Sequence, residues 1–206
     1  MTDCLDLSKF ALTRMSHDLA GITGAVSNSL ELLDEVGGAD AESLSLAMAA
    51  AQSLIARLSF FRAAFGAEGP LTGVDIAFQT AQGYLKSLEN SAVHYECSFN
   101  LPSQVPMFVL RLSLLGVQIC ADSLIRGGKI FLAVPETGGK LEISAAGGRI
   151  AVEEGTYALL NKSDFTLNSP KQAAAAFFMK TAERNKLDVV FEQNGETMKI
   201  SCFEKQ

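Results

Sequence analysis

Two long runs of apolar residues at helical spacing, separated by a pair of glycines, constrain this chain more than any other feature. Met15, Leu19, Ile22, Val26, Leu30 and Leu33 recur in steps of three and four within residues 7–36. That spacing puts them on one stripe of a helix and approaches a coiled-coil seam. Gly37 and Gly38 supply a stop, because glycine tolerates the left-handed cap conformation. Asp40 is a candidate N-cap for a second helix. There Leu44, Met48, Ala51, Ile55, Leu58, Phe61 and Phe65 repeat the spacing, up to "FGAEGP". Helices joined by so short a loop run antiparallel. A bare hairpin leaves much of both stripes in water. Either it packs on the rest of its own chain, or two chains pair their hairpins into a four-helix bundle. Coiled-coil spacing sustained along both helices favours the dimer.

Turn residues in "GAEGPLTG" (66–73) mark a linker, dividing the chain into residues 1–68 and 74–206. Beyond it the elements alternate. Residues 75–90 are helical in pattern, "HYECSFN" (94–100) alternates like a strand, and 105–125 form a strongly apolar helix. "GGKIFLAV" and "KLEISAA" read as strands joined through "PETGG". A helix near 170–186 leads to "LDVVFEQ" and "TMKISCF", where the intervening Asn-Gly is a strong hairpin signal. The fold class is α+β: an N-terminal helical hairpin, then one sheet with helices on one face.

Charge and cysteines exclude several functions. A net charge of −6 offers no basic face for phosphate backbones or anionic lipid, so neither nucleic acid nor a membrane is expected as partner. No apolar run is expected to be long enough to span a bilayer. Cys4, Cys97, Cys120 and Cys202 are far apart and form no C-x-x-C pair. Buried, reduced thiols are expected in place of a zinc or redox site. "MTDCLDLSKF" lacks the apolar segment of a secretory signal, and a cytoplasmic location is expected.

His17 is one of only two histidines. On a helix it shares a face with Ala20, Gly21, Gly24, Asn28 and Glu31, with Arg14 behind it. The apolar stripe turns away from that face, so the imidazole points to solvent beside small residues. Each glycine costs the helix about 1 kcal/mol relative to alanine. The cost makes sense where another protein must approach the helix beside the ring. An ordinary exposed histidine is the alternative. His94 lies too far along the chain for a shared metal site, and no nucleophile elbow is present. A lone imidazole is nevertheless a competent nucleophile near neutral pH. Attack on phosphorus asks little more of this chain, if a partner brings the metal and the rest of the site. Asp18, about 100° round the helix, can orient the ring or assist proton transfer.

"SHDLAGITGAVSNSLELL" and "ARLSFFRAAFG" together resemble the alphaproteobacterial histidine phosphotransferases of the ChpT type, relatives of sensor histidine kinases. The first family pattern, H-D-L-x-x-P-x-G-A-x-x-N-x-L-E-L-L, is met by His17, Asp18, Leu19, Gly24, Ala25, Asn28, Leu30, Glu31, Leu32 and Leu33, with Ile22 where the family has proline. The second, R-L-x-F-F-R-x-A-F-G, is met by Arg57, Leu58, Phe60, Phe61, Arg62, Ala64, Phe65 and Gly66.

The resemblance implies a homodimer whose paired hairpins form a four-helix bundle. His17 would take phosphoryl from the receiver aspartate of a hybrid histidine kinase and pass it to receiver domains of response regulators. Gly21, Gly24 and Asn28 would line the docking track, with Arg14 or Arg62 balancing phosphoryl charge. The Mg2+ would come from the receiver, and this chain would bind no cofactor. The C-terminal part would be a degenerate kinase ATPase domain. Ile119 stands where the kinases carry a magnesium-binding asparagine, and "SAAGGRI" replaces their D-x-G-x-G segment. A divergent ATP-dependent kinase and a non-catalytic adaptor that binds response regulators are the competing expectations.

Overall fold

A computed structural model describes residues 4–35, 41–66, 71–135, 138–162 and 166–205. The two stripes become α1 (Cys4–Glu35) and α2 (Ala41–Phe65). The Gly37–Gly38 stop and the Asp40 cap lie outside the described residues, as does part of the 66–73 linker. The remaining elements are α3 (Val74–Leu88), β1 (His94–Asn100), α4 (Met107–Ser123), β2 (Gly127–Ala133) and β3 (Leu141–Ala146). After them come α5 (Glu154–Leu160), α6 (Ala173–Arg184), β4 (Leu187–Asn194) and β5 (Thr197–Glu204). A 3-10 turn, Pro170–Gln172, leads into α6. The short α5 has no counterpart in the sequence reading.

The five strands make one sheet in the order β1-β2-β3-β5-β4, with β1 and β2 parallel and every other pair antiparallel. Alternation decides its faces. Ile130, Leu132, Leu141, Ile143, Val189, Phe191, Met198 and Ile200 point into the core, while Phe131 and Val190 on the same strands are exposed. Helix α4 packs over β2 and β3, with α3 against β1 and α6 against β4. Its Leu112, Leu114, Leu115 and Val117 are all fully buried, as a helix between a sheet and other helices requires. Two glycines are fixed by the backbone. Gly127 has φ 75°, and a Cβ there would overlap the carbonyl oxygen of His94 on the neighbouring strand. Gly195, at φ 59°, closes the β4–β5 hairpin.

The hairpin divides along its length. Near its root, Leu7 packs with Leu167 and Ala176 beside α6, and Phe60, Phe61, Ala63 and Ala64 enter the same core as the sheet. Phe60 stacks on Tyr84 of α3 at 3.9 Å between ring centroids. Phe61, which the spacing assigned to the hairpin stripe, is therefore a core residue of the C-terminal part. Towards the tip the picture reverses. Among the described residues of 20–35 and 41–56, only Ser43 and Ala47 are buried, while Leu30, Leu44, Met48 and Ile55 are about half or more exposed.

One expectation is corrected. Helix α2 is long and apolar enough, by length and composition, to cross a bilayer, with a mean hydropathy of 1.4 over its most apolar stretch. Alanines filling the positions between the stripe residues raise that average without making the helix apolar on every side. Glu42, Arg57 and Arg62 interrupt it.

Candidate functional site

His17 projects from the middle of α1 with 87% of its side chain exposed. Its Nδ1 lies 3.4 Å from Oδ1 of Asp18. Asp18 turns inward from the same helix, 14% exposed, and its other oxygen, Oδ2, accepts a 2.7 Å hydrogen bond from Nε of Arg14. The carboxylate thus lies between the imidazole on one oxygen and the guanidinium on the other.

Arg14, expected to balance phosphoryl charge at the docking surface, is instead tied between Asp18 and Asp122. Its side chain is 15% exposed, and Nη2 donates at 2.8 Å to Oδ1 of Asp122, at the end of α4. Burial works against its charge, and the carboxylates, Asp122 foremost, more than offset this and hold the guanidinium cationic above its ordinary range. Desolvation in turn lifts the Asp122 carboxyl above its usual value, against the pull of Arg14. With 28% of its side chain open to water and a guanidinium at 2.8 Å, the ionised carboxylate is the form this contact favours.

A second arginine stands level with the histidine, and it is not Arg62. Arg57 donates from Nη1 to the carbonyl oxygen of Asp18 at 3.4 Å, and from Nε and Nη2 to the hydroxyl and carbonyl of Ser87. Ser87 in turn donates to the carbonyl of Tyr84 at 2.6 Å. Arg62 is exposed and lies five residues further along α2, roughly 140° round the helix from Arg57. The remaining residues fall where the wheel puts them. Gly21, Gly24 and Asn28 are exposed on α1 beyond His17, and a Cβ at either glycine would meet no neighbour within 4 Å. No internal contact explains those glycines.

Asp122, Ser87 and Tyr84 were not found from sequence. Asp122 carries one signal: it is the lone carboxylate of α4, a helix made mostly of apolar residues. Three residues before it, Ile119 is 2% exposed. It borders a cavity of about 230 Å3 with Asp122, Ser123, Ala151, Glu153, Thr156 and Lys171, smaller than the ~300 Å3 at which ordinary ligand pockets begin. Glu153 in that wall caps α5 by accepting from the Thr156 amide and also accepts from Gln172. An isoleucine offers magnesium no ligand, and among the described residues no cluster of His, Cys, Asp or Glu could hold a metal. Cys97, Cys120 and Cys202 are free thiols. Burial pushes Cys97 and Cys202 up to about 12 and Cys120 higher still, which favours the neutral thiol over the nucleophilic thiolate at neutral pH.

Residues 77–197 match the family described as Histidine phosphotransferase C-terminal domain. The chain belongs to that family. Protein phosphotransferase ChpT of Brucella abortus (strain 2308) is 45% identical over 78 residues, 38% of this chain and 36% of that relative. The match thus spans about a third of the relative's length. A solved bacterial phosphotransferase superposes with a TM-score of 0.82 at 24% identity, covering 98% of both chains. That likeness extends the family fold across the hairpin as well as the C-terminal domain.

Proposed function

We propose that this histidine phosphotransferase family member carries phosphoryl groups between receiver-domain aspartates through His17. The observation that carries the reading is the exposed imidazole with Nδ1 turned to Asp18. In this reading Asp18 keeps the proton on Nδ1, which leaves the lone pair on Nε2 of the exposed ring for attack. Nε2 attacks phosphorus of a receiver's aspartyl phosphate. The N–P bond forms as the P–O bond breaks, and the electron pair returns to the receiver's carboxylate. The Nδ1 proton stays in place, and Asp18 balances the positive charge that develops on the ring. The reverse step delivers phosphoryl to a second receiver. Mg2+ belongs to the receiver in this scheme, and this chain supplies no cofactor.

The open surface at Gly21 and Gly24, with Asn28 beyond, gives a receiver room to bring its aspartate to the ring. Donor and acceptor are receivers of a hybrid kinase and of response regulators, in the cytoplasm. The exposed Leu30, Leu44, Met48 and Ile55 form the face through which two hairpins make a four-helix bundle. Against the ATP-dependent kinase stands Ile119; against the adaptor stands the oriented imidazole, which mere docking would not need.

The test is incubation with a phosphorylated receiver. Wild type is expected to acquire an acid-labile phosphate that maps to His17, and His17→Ala to acquire none while keeping its oligomeric state. Transfer through the alanine variant at the wild-type rate refutes the reading.

A further inference from the structure

We propose that Asp122, on the degenerate C-terminal domain, is a positioning residue for His17, acting through Arg14 and Asp18. The inference rests on His17 as phosphoryl carrier and adds a residue 105 positions away in sequence. Four groups stand in series: imidazole, Asp18, Arg14 and Asp122, at 3.4, 2.7 and 2.8 Å. Asp18 touches His17 through Oδ1 only while its Oδ2 is held by Arg14. Arg14 is held in turn by a second carboxylate on another element. A long guanidinium arm fixed at one point is free to swing; fixed between two carboxylates it is not.

Charge makes the same link. Arg14 alone beside Asp18 would neutralise the carboxylate on which His17 depends. Asp122 shares that guanidinium, with Lys171 as the further cation beside Asp122, so Arg14 is not left to neutralise Asp18 alone. Arg57, the cation that approaches from α2, is engaged by Ser87 and reaches only the backbone carbonyl of Asp18. From α3 the neighbouring groups, Ser87 and the Tyr84 ring, are uncharged. The helix that carries Ile119 at the magnesium position thus presents a carboxylate to α1 one turn later. Its contribution to phosphotransfer is through the tautomer and charge of the histidine.

The experiment compares wild type, Asp122→Asn and Asp122→Glu. Asparagine keeps an oxygen for Arg14 and removes the charge, so a residue that merely holds α4 to α1 predicts a lower melting temperature with the His17 tautomer unchanged. Imidazole nitrogen shifts read the tautomer of His17 in the unphosphorylated protein, and receiver-to-protein transfer gives kcat and KM. Asp122→Asn is expected to lower the population protonated on Nδ1 and to reduce kcat roughly tenfold, the low end for loss of an outer partner that orients a histidine. KM for the receiver stays within about twofold, and Asp122→Glu recovers both losses. Where Asp122→Asn does not fold by circular dichroism, Asp122→Ser stands in for it. A wild-type tautomer and kcat in the uncharged variant overturns the proposal, as does a glutamate variant that behaves like asparagine. Failure of His17 to be phosphorylated is a separate result. It removes the carrier reading, while the tautomer measurement still tests Asp122.

Discussion

Replacing Ile55 with aspartate tests whether the exposed stripe is the face of a dimer. Ile55 is the most exposed large apolar residue of α2 at 64%, and Leu44, Met48 and Leu58 continue its stripe at 48%, 56% and 45%. Fully burying such a side chain is worth about 2.5 kcal/mol. Covering the part of Ile55 now in water therefore contributes roughly 1.5 kcal/mol per copy. Twofold symmetry doubles this to about 3 kcal/mol, more than a hundredfold in dissociation constant. An aspartate also brings two carboxylates into an apolar seam, which adds several kcal/mol if they stay ionised. Sedimentation equilibrium at micromolar concentration is the assay. Wild type is expected as a dimer, and Ile55→Asp as a monomer whose sheet-based core stays folded while the hairpin tip loses part of its helical signal. Val190→Asp, on the open sheet face at 48% exposure, serves as the matched control and should not dissociate the dimer. A wild-type dissociation constant for Ile55→Asp refutes the reasoning.

Three further outcomes follow from the site and the α5 cap. Gly24→Ala should raise the stability of α1 by about 0.5–1 kcal/mol, since the new Cβ meets open space. Gly24→Leu should fold equally well yet raise KM for a receiver; thermal melting and transfer kinetics separate the two effects. Burial works against the charged Glu153 carboxylate, but hydrogen bonds from Gln172 and the Thr156 amide outweigh it and hold its pKa below the ordinary value. A carboxylate with a lowered folded pKa stabilises the protein above the unfolded value and loses that contribution as pH falls through the folded one. Glu153→Gln should therefore cost about 1 kcal/mol at neutral pH and remove part of the acid-side loss seen in denaturation curves between neutral pH and pH 3.

Much of this fold was legible because its elements are long and patterned. The stripes at 15–33 and 44–65 and the Asn194–Gly195 turn each state their structure within one window of sequence. The seven residues of α5 do not, since two turns are too short for a 3.6-residue period to show. At the site, the face bearing His17, Gly21, Gly24 and Asn28 needed only the helical repeat. The role of Arg14 needed a partner 108 residues distant, which no local spacing encodes. The sequence points to Arg62 for the phosphoryl charge, whereas the structure sets Arg57 level with His17. Their difference lies in which way α2 turns once Phe60 and Phe61 enter the core.

That burial has a consequence for cooperativity. Because Phe60 and Phe61 at the hairpin's root belong to the core built on the sheet, the root can open only when the whole domain opens. The tip, in an isolated chain, has almost nothing of its own to bury and can fray on its own. His17 sits near the boundary between these two regimes of local stability. Its nitrogen is carried on the part of α1 that the rest of the protein keeps rigid, and the surface a visiting protein crosses to reach it belongs to the part that can yield.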